Sequence, residues 1–139
     1  MRWTAASLAR AVRARDVSPV ELVEESLRRA ETWQPITNAF SQLHPDQALD
    51  EARRGADRVA RREDQGLLHG VPVAVKDLFD VAGWETTGCC AAYRGRIAAT
   101  DADAVRRLRE AGAVIVGKTN QHELATGATN LISACGRTG

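Results

Sequence analysis

Three features of the 139-residue sequence predict an α/β fold. Its first half carries apolar residues at helical spacing, and its second half carries two short continuous apolar runs. A capped helical segment separates those two runs, the order expected of a βαβ-like unit with its strands roughly parallel. The expected architecture is N-terminal helices packed on a mixed, partly parallel sheet. Residues 1–65 are expected to form a helical layer and residues 66–139 a strand-helix-strand part, together one structural unit.

The elements follow in order. Ala5, Leu8, Ala9 and Val12 recur at i, i+3, i+4 and i+7, with Arg10 and Arg13 on the opposite face, so a first helix is predicted. Ser18-Pro19-Val20-Glu21 is a capping box with proline at the first helical position. It opens a helix whose apolar face holds Val20, Val23, Leu27 and Ala30, and which Pro35 is expected to stop. Residues 38–43 alternate loosely and read as a short strand. Pro45 starts a third helix with Ala48, Ala52, Ala56 and Val59 inward. Its outer face bears Arg53, Arg54, Arg58, Arg61 and Arg62. Glu51, Asp57, Glu63 and Asp64 interleave with them, which makes that side a solvated face rather than a basic patch.

At Gly66 the pattern changes. Residues 71–75 read as a buried strand, in which Pro72 is tolerated only near the start or on a sheet edge. A loop rich in Gly and Thr spans residues 83–95. Thr100-Asp101-Ala102-Asp103 caps a helix running through Val105, Leu108 and Ala111 and ending at Gly112. Residues 113–116 form a second buried strand. Asn120-Gln121-His122-Glu123 is expected to cap a further short helix reaching Gly127.

Hydrophobic residues make up 44% of the chain and charged residues 27%, which fits a globular protein rather than a disordered one. The formal charge is +1, from 19 basic against 18 acidic residues, and this argues against a dedicated nucleic-acid binder. No run approaches the ~20 apolar residues needed to span a membrane, and no apolar signal core opens the chain. A cytoplasmic location is expected. The cysteines, Cys89, Cys90 and Cys135, have neither metal-ligand spacing nor a disulfide framework, so reduced thiols are expected. His44, His69 and His122 are far apart, and the His122-Glu123 pair lacks the second histidine of a zinc helix. No metal and no cofactor are expected.

Of the 19 basic residues only two are lysines, Lys76 and Lys118. Unlike arginine, lysine can be driven neutral by burial and then act as a base. Lys76 ends a continuous apolar strand, where its ammonium must reach solvent, find a carboxylate or be partly desolvated. Asp77 next to it points to the opposite face and is a poor partner for it.

The run Gly70-Val71-Pro72-Val73-Ala74-Val75-Lys76-Asp77-Leu78-Phe79-Asp80-Val81-Ala82-Gly83 resembles the lysine segment of the amidase-signature hydrolases. Gly117-Lys118-Thr119-Asn120-Gln121-His122-Glu123-Leu124-Ala125-Thr126-Gly127 is similar to a downstream segment of the same family. The two occur in the family's order, and the resemblance covers residues 4–139 as an N-terminal portion. It implies the amidase-signature fold and cleavage of carboxamide C–N bonds by a Ser-cisSer-Lys triad. In that triad a lysine acts through a bridging serine on a nucleophilic serine.

By motif position Lys76 is the catalytic lysine, and Ala125, Thr126 and Gly127 match a segment beside the family's substrate pocket. Both family serines belong to a downstream glycine- and serine-rich loop, and the sequence stops at Gly139 before that loop. Ser7, Ser18, Ser26, Ser41 and Ser133 do not sit in glycine-flanked nucleophile turns. These 139 residues alone are therefore expected to be inactive.

The resemblance implies a small amide substrate, and a homodimer or amidotransferase subunits as partners. In an amidotransferase the corresponding chain would work on charged tRNA. Two other readings compete: a Schiff base between Lys76 and a carbonyl substrate, and a non-catalytic chain that packs with a partner. Lys118, the other lysine ending an apolar strand, is expected to tolerate arginine.

Overall fold

The structure is a computed structural model that describes residues 4–63 and 66–139. Its helices are Ala5–Ala14 (α1), Pro19–Thr37 (α2), Pro45–Ala60 (α3) and Asp103–Glu110 (α4). Its strands are Phe40–Leu43 (β1), Pro72–Lys76 (β2) and Val114–Thr119 (β3). The strands form one mixed sheet in the order β1-β3-β2. β1 runs antiparallel to β3, with Gln42 opposite Lys118 and Leu43 opposite Gly117. Between β2 and β3 the partners advance together, from Val114 N–H on Val71 O to Asp77 N–H on Thr119 O, as in a parallel pair.

The chain divides into two compact units. The first comprises residues 1–29, 44–73 and 107–116, and the second residues 30–43, 74–106 and 117–139.

In the first unit, Thr4 and Ser7 close a capping box on α1, and Arg15 ends the helix in the left-handed conformation. At the start of α2 the Ser18 N–H donates to the Glu21 carboxylate at 2.8 Å, the capping box read from the sequence. Ala9, Val12, Val23, Leu27, Ala48, Ala52 and Val59 are buried, the apolar faces predicted for three helices. Gly112, at φ +86°, ends α4, and its own N–H returns to Arg109 O. A Cβ there would meet the His69 backbone at 2.9 Å, so position 112 admits glycine for space as well as for conformation. The buried His69 ring lies 2.9 Å from Gly55 O.

The second unit has a more polar interior. Asp77, Thr86, Thr87, Lys118 and Gln121 are buried among Val75, Val81, Trp84, Cys89, Ala98 and Val105. Residues 83–86, inside the segment expected to be loop, pair antiparallel with residues 96–98 around a bridge between Glu85 and Ile97.

Three expectations are corrected. Pro35 does not stop α2, which continues to Thr37. A proline removes one helical N–H, and two residues from the end that loss is tolerable. Asn38, at φ +44°, provides the stop, with its N–H on Gln34 O. The short helix at 120–127 reduces to a 3₁₀ turn over Glu123–Ala125, because Leu124 and Ala125 adopt positive φ. β2 is only half-buried over Pro72, Val73 and Ala74, since it lies at the edge of the sheet.

Candidate active site

The alternation of a β-strand sets the site. At the end of β2, Lys76 faces outward and is exposed, while Asp77 faces inward and is fully buried. Asp77 continues the ladder through its N–H on Thr119 O. This register brings its carboxylate against Lys118 on β3, with Nζ 2.7 Å from Oδ1. The ammonium also donates to Thr86 Oγ1 at 2.6 Å and to the Glu85 carbonyl at 2.9 Å. Oδ1 is held by the charge of the ammonium rather than by an aligned hydrogen bond. The other oxygen, Oδ2, accepts from Thr87 Oγ1 at 2.7 Å and from the Cys89 N–H at 3.1 Å.

One buried ion pair thus ties the segment 85–89 to the sheet. A charge pair without solvent is stable only when its remaining donors and acceptors are satisfied, and this one meets that condition closely. The expectation that Lys118 tolerates arginine is corrected here. A guanidinium is larger and planar, and Lys118 has no exposed surface into which it could expand.

The loop fixed by the pair supports the downstream motif. Leu124 donates its N–H to Gly88 O at 2.8 Å, and Ala134 donates to Cys89 O at 2.8 Å. Gly88 has φ +61°, and a Cβ on it would come within 2.9 Å of Leu124 Cδ2. Ala125, Thr126 and Gly127 follow directly and are exposed, with Thr126 Oγ1 donating to Glu123 O. Leu78, two residues after Lys76, and Leu124, just before Ala125, line one open cleft of about 210 Å³. Thr86, Thr87, Gly88, Tyr93 and the Asp80–Arg96 pair complete its wall. The Arg96 guanidinium, at 2.7 Å, holds the Asp80 carboxyl below the usual carboxylate range.

Asn120 organises the far side of this loop instead of capping a helix. Its Oδ1 accepts from the Gln121 N–H, Ser133 Oγ and Cys89 Sγ, while its Nδ2 donates to Asn38 O and Gly136 O. Cys135 Sγ lies 3.3 Å from Cys89 Sγ, and burial first, then the neighbouring sulfur, pushes the Cys89 thiol up to about 12. Asp77, Cys89 and Cys135 form the one group of three potential metal ligands found among the described residues. The Lys118 ammonium already occupies the Asp77 charge, which makes the cluster a poor cation site.

The sequence reading missed the Lys118–Asp77 pair. Its signal was available: an inward aspartate at the end of an apolar strand requires a cation, and the chain has only two lysines.

The geometry describes an α/β protein with an exposed lysine at the end of an edge strand and a loop pinned to the sheet by a buried ion pair. The sequence model of the Amidase family matches residues 21–139, and the chain belongs to that family. It is 41% identical over 138 residues to the A-type subunit of the glutamyl-tRNA(Gln) amidotransferase of Acidothermus cellulolyticus, covering 99% of this chain and 27% of that protein. It is 43% identical over 126 residues to an amidase of Pseudomonas putida, covering 91% of this chain and 27% of that one. The native peptide amidase of Stenotrophomonas maltophilia superposes with a TM-score of 0.87 at 33% identity, covering 96% of this chain and 29% of that structure. The chain thus spans about a quarter of the length of these relatives. The amidase-signature fold expected from the sequence is the fold observed.

Proposed function

We propose that these residues are the lysine-bearing part of an amidase-type hydrolase that cleaves carboxamide C–N bonds through a Ser-cisSer-Lys triad. In this reading Lys76 is the catalytic base, and Ala125, Thr126 and Gly127 border the substrate. The observation that carries it is the contrast in burial between the two lysines. Lys118 is fully buried and committed to Asp77, Thr86 and Glu85, whereas Lys76 presents a free stem at the strand end. A lysine locked in a buried pair cannot exchange protons with a serine, which leaves Lys76 as the candidate base. The open cleft lined by Leu78 and Leu124, near neighbours in sequence of Lys76 and Ala125, supports placing the substrate beside 125–127.

The nucleophile and its oxyanion donors would come from a serine-bearing segment outside these 139 residues. The 139-residue polypeptide alone is therefore expected to show no amide turnover above background, since a single oxyanion donor is worth roughly 10²–10³ in rate. Turnover by that polypeptide that vanished on Lys76→Ala would overturn the reading.

The near-equal identity to an amidase and to a tRNA-dependent amidotransferase supports two substrate classes, a free carboxamide and charged tRNA. For the second, partner subunits are required. Trp33, Ile36, Leu131 and Ile132, all more than half exposed, supply apolar surface for packing against a partner or further chain. A cytoplasmic location belongs to the same proposal. No described helix is long and apolar enough to cross a membrane.

A further inference from the structure

We propose that Cys89 and Cys135 are a hydroperoxide-sensitive oxidation site that closes reversibly into a disulfide. The two residues are 46 apart in sequence, yet their sulfurs lie 3.3 Å from each other with both thiols free. A disulfide requires about 2.05 Å, so the sulfurs must approach by a little over an ångström, within reach of side-chain rotation.

The backbone is already held for this. Ala134 N–H donates to Cys89 O at 2.8 Å, and Cys135 N–H donates to Ser133 Oγ at 3.1 Å. Asn120 grips both sides, accepting from Ser133 Oγ at 2.8 Å and Cys89 Sγ at 3.4 Å, and the Asn38 side-chain amide donates to Cys135 O at 2.8 Å. Cys90, although adjacent to Cys89, takes no part in these contacts.

The sulfurs are differently placed. Cys89 is fully buried, whereas Cys135 is half-buried and lines an open cleft of about 140 Å³ with Ser41, Gln42 and Arg94. A peroxide is little larger than a water, whose share of liquid volume is ~30 Å³, so the cleft admits it. Cys135 is the sulfur that meets the oxidant, and Cys89, fully buried with its sulfur 3.3 Å away, is the one that resolves it.

In the first step the Cys135 sulfur attacks one oxygen of hydrogen peroxide, the O–O bond breaks, and the departing hydroxide takes the thiol proton as water, leaving a sulfenic acid on Cys135. In the second, Cys89 sulfur attacks the sulfenic sulfur and the S–O bond breaks. The departing hydroxide takes the Cys89 proton as water. Two thiols are oxidised to one disulfide while one peroxide is reduced to two waters. Thiol reductants reverse the bond by exchange.

The test treats the protein with hydrogen peroxide, quenches with iodoacetamide and maps tryptic peptides. The expected result is loss of two of the three thiols and an intramolecular link between residues 77–94 and 119–137, reversed by dithiothreitol. The link persists in Cys90→Ser and is absent in Cys135→Ala. The half-buried position 135 makes Cys135→Ala the safer variant for folding, and circular dichroism of that variant checks it. A link through Cys90, links between chains only, or oxidation of Cys135 to sulfinic acid without any link would each overturn the proposal.

Discussion

The Lys118 ammonium lies 2.7 Å from the Asp77 carboxylate, and neither side chain has any solvent exposure. Removing one partner leaves an uncompensated buried charge. Lys118→Met is therefore expected to lower stability by about 3–5 kcal/mol, and Lys118→Arg to be destabilising as well. The double variant Lys118→Met/Asp77→Leu should recover much of the loss, because no charge remains buried. Urea unfolding of the four proteins, in an amidase completed with a serine-bearing segment, measures this. A Lys118→Met protein as stable as the parent would show that the pair is unimportant to the fold.

A second expectation concerns alkaline pH. The Cys89 thiol is pushed from an ordinary 9.0 up to about 12, chiefly by burial. The folded state therefore keeps a proton that the unfolded chain releases. Its contribution to stability is full below pH 9 and declines as pH rises from about 9 to about 12. Cys89→Ser should flatten that part of the stability profile. At pH 8, iodoacetamide should label Cys135 well ahead of Cys89. Equal labelling of the two would contradict the buried, protonated thiol.

Gly88 links the ion-pair loop to the downstream motif. Its φ of +61° disfavours side chains, and a Cβ would press within 2.9 Å of Leu124 Cδ2. Gly88→Ala is expected to cost roughly 1–2 kcal/mol and to raise KM more than it lowers kcat, by shifting Leu124 and the residues after it. Gly83→Ala, also at positive φ but with open space around it, is the control for conformational strain alone. Equal effects at both positions would mean that the Leu124 contact carries nothing.

Much of this fold was legible because its signals are local. The Ser18-Glu21 box, the proline at position 45 and the glycine at 112 each act within a few residues, and each sits at the helix end where the pattern put it. Pro35 misled because a proline near a helix end removes only one bond. Asn120 misled for a different reason: its side chain is used by residues 38, 89, 133 and 136, and those contacts outweigh the local capping pattern. The strand order that puts β2 on an edge is likewise non-local. Alternation told correctly that Asp77 faces away from Lys76, but its partner lies 41 positions on, at Lys118, and only the pairing of β2 with β3 brings them together.

The central claim is that the two lysines have separate tasks, Lys76 in the chemistry and Lys118 in the fold. It is tested most directly by Lys76→Arg in an amidase in which these residues are joined to a serine-bearing segment, with amide turnover and urea midpoint read from the same preparation. Arginine keeps the positive charge but cannot serve as a base. The account predicts an unchanged midpoint and a rate below about a tenth of the parent, close to that of Lys76→Ala. A Lys76→Arg enzyme that kept more than about a tenth of the parental rate would contradict it.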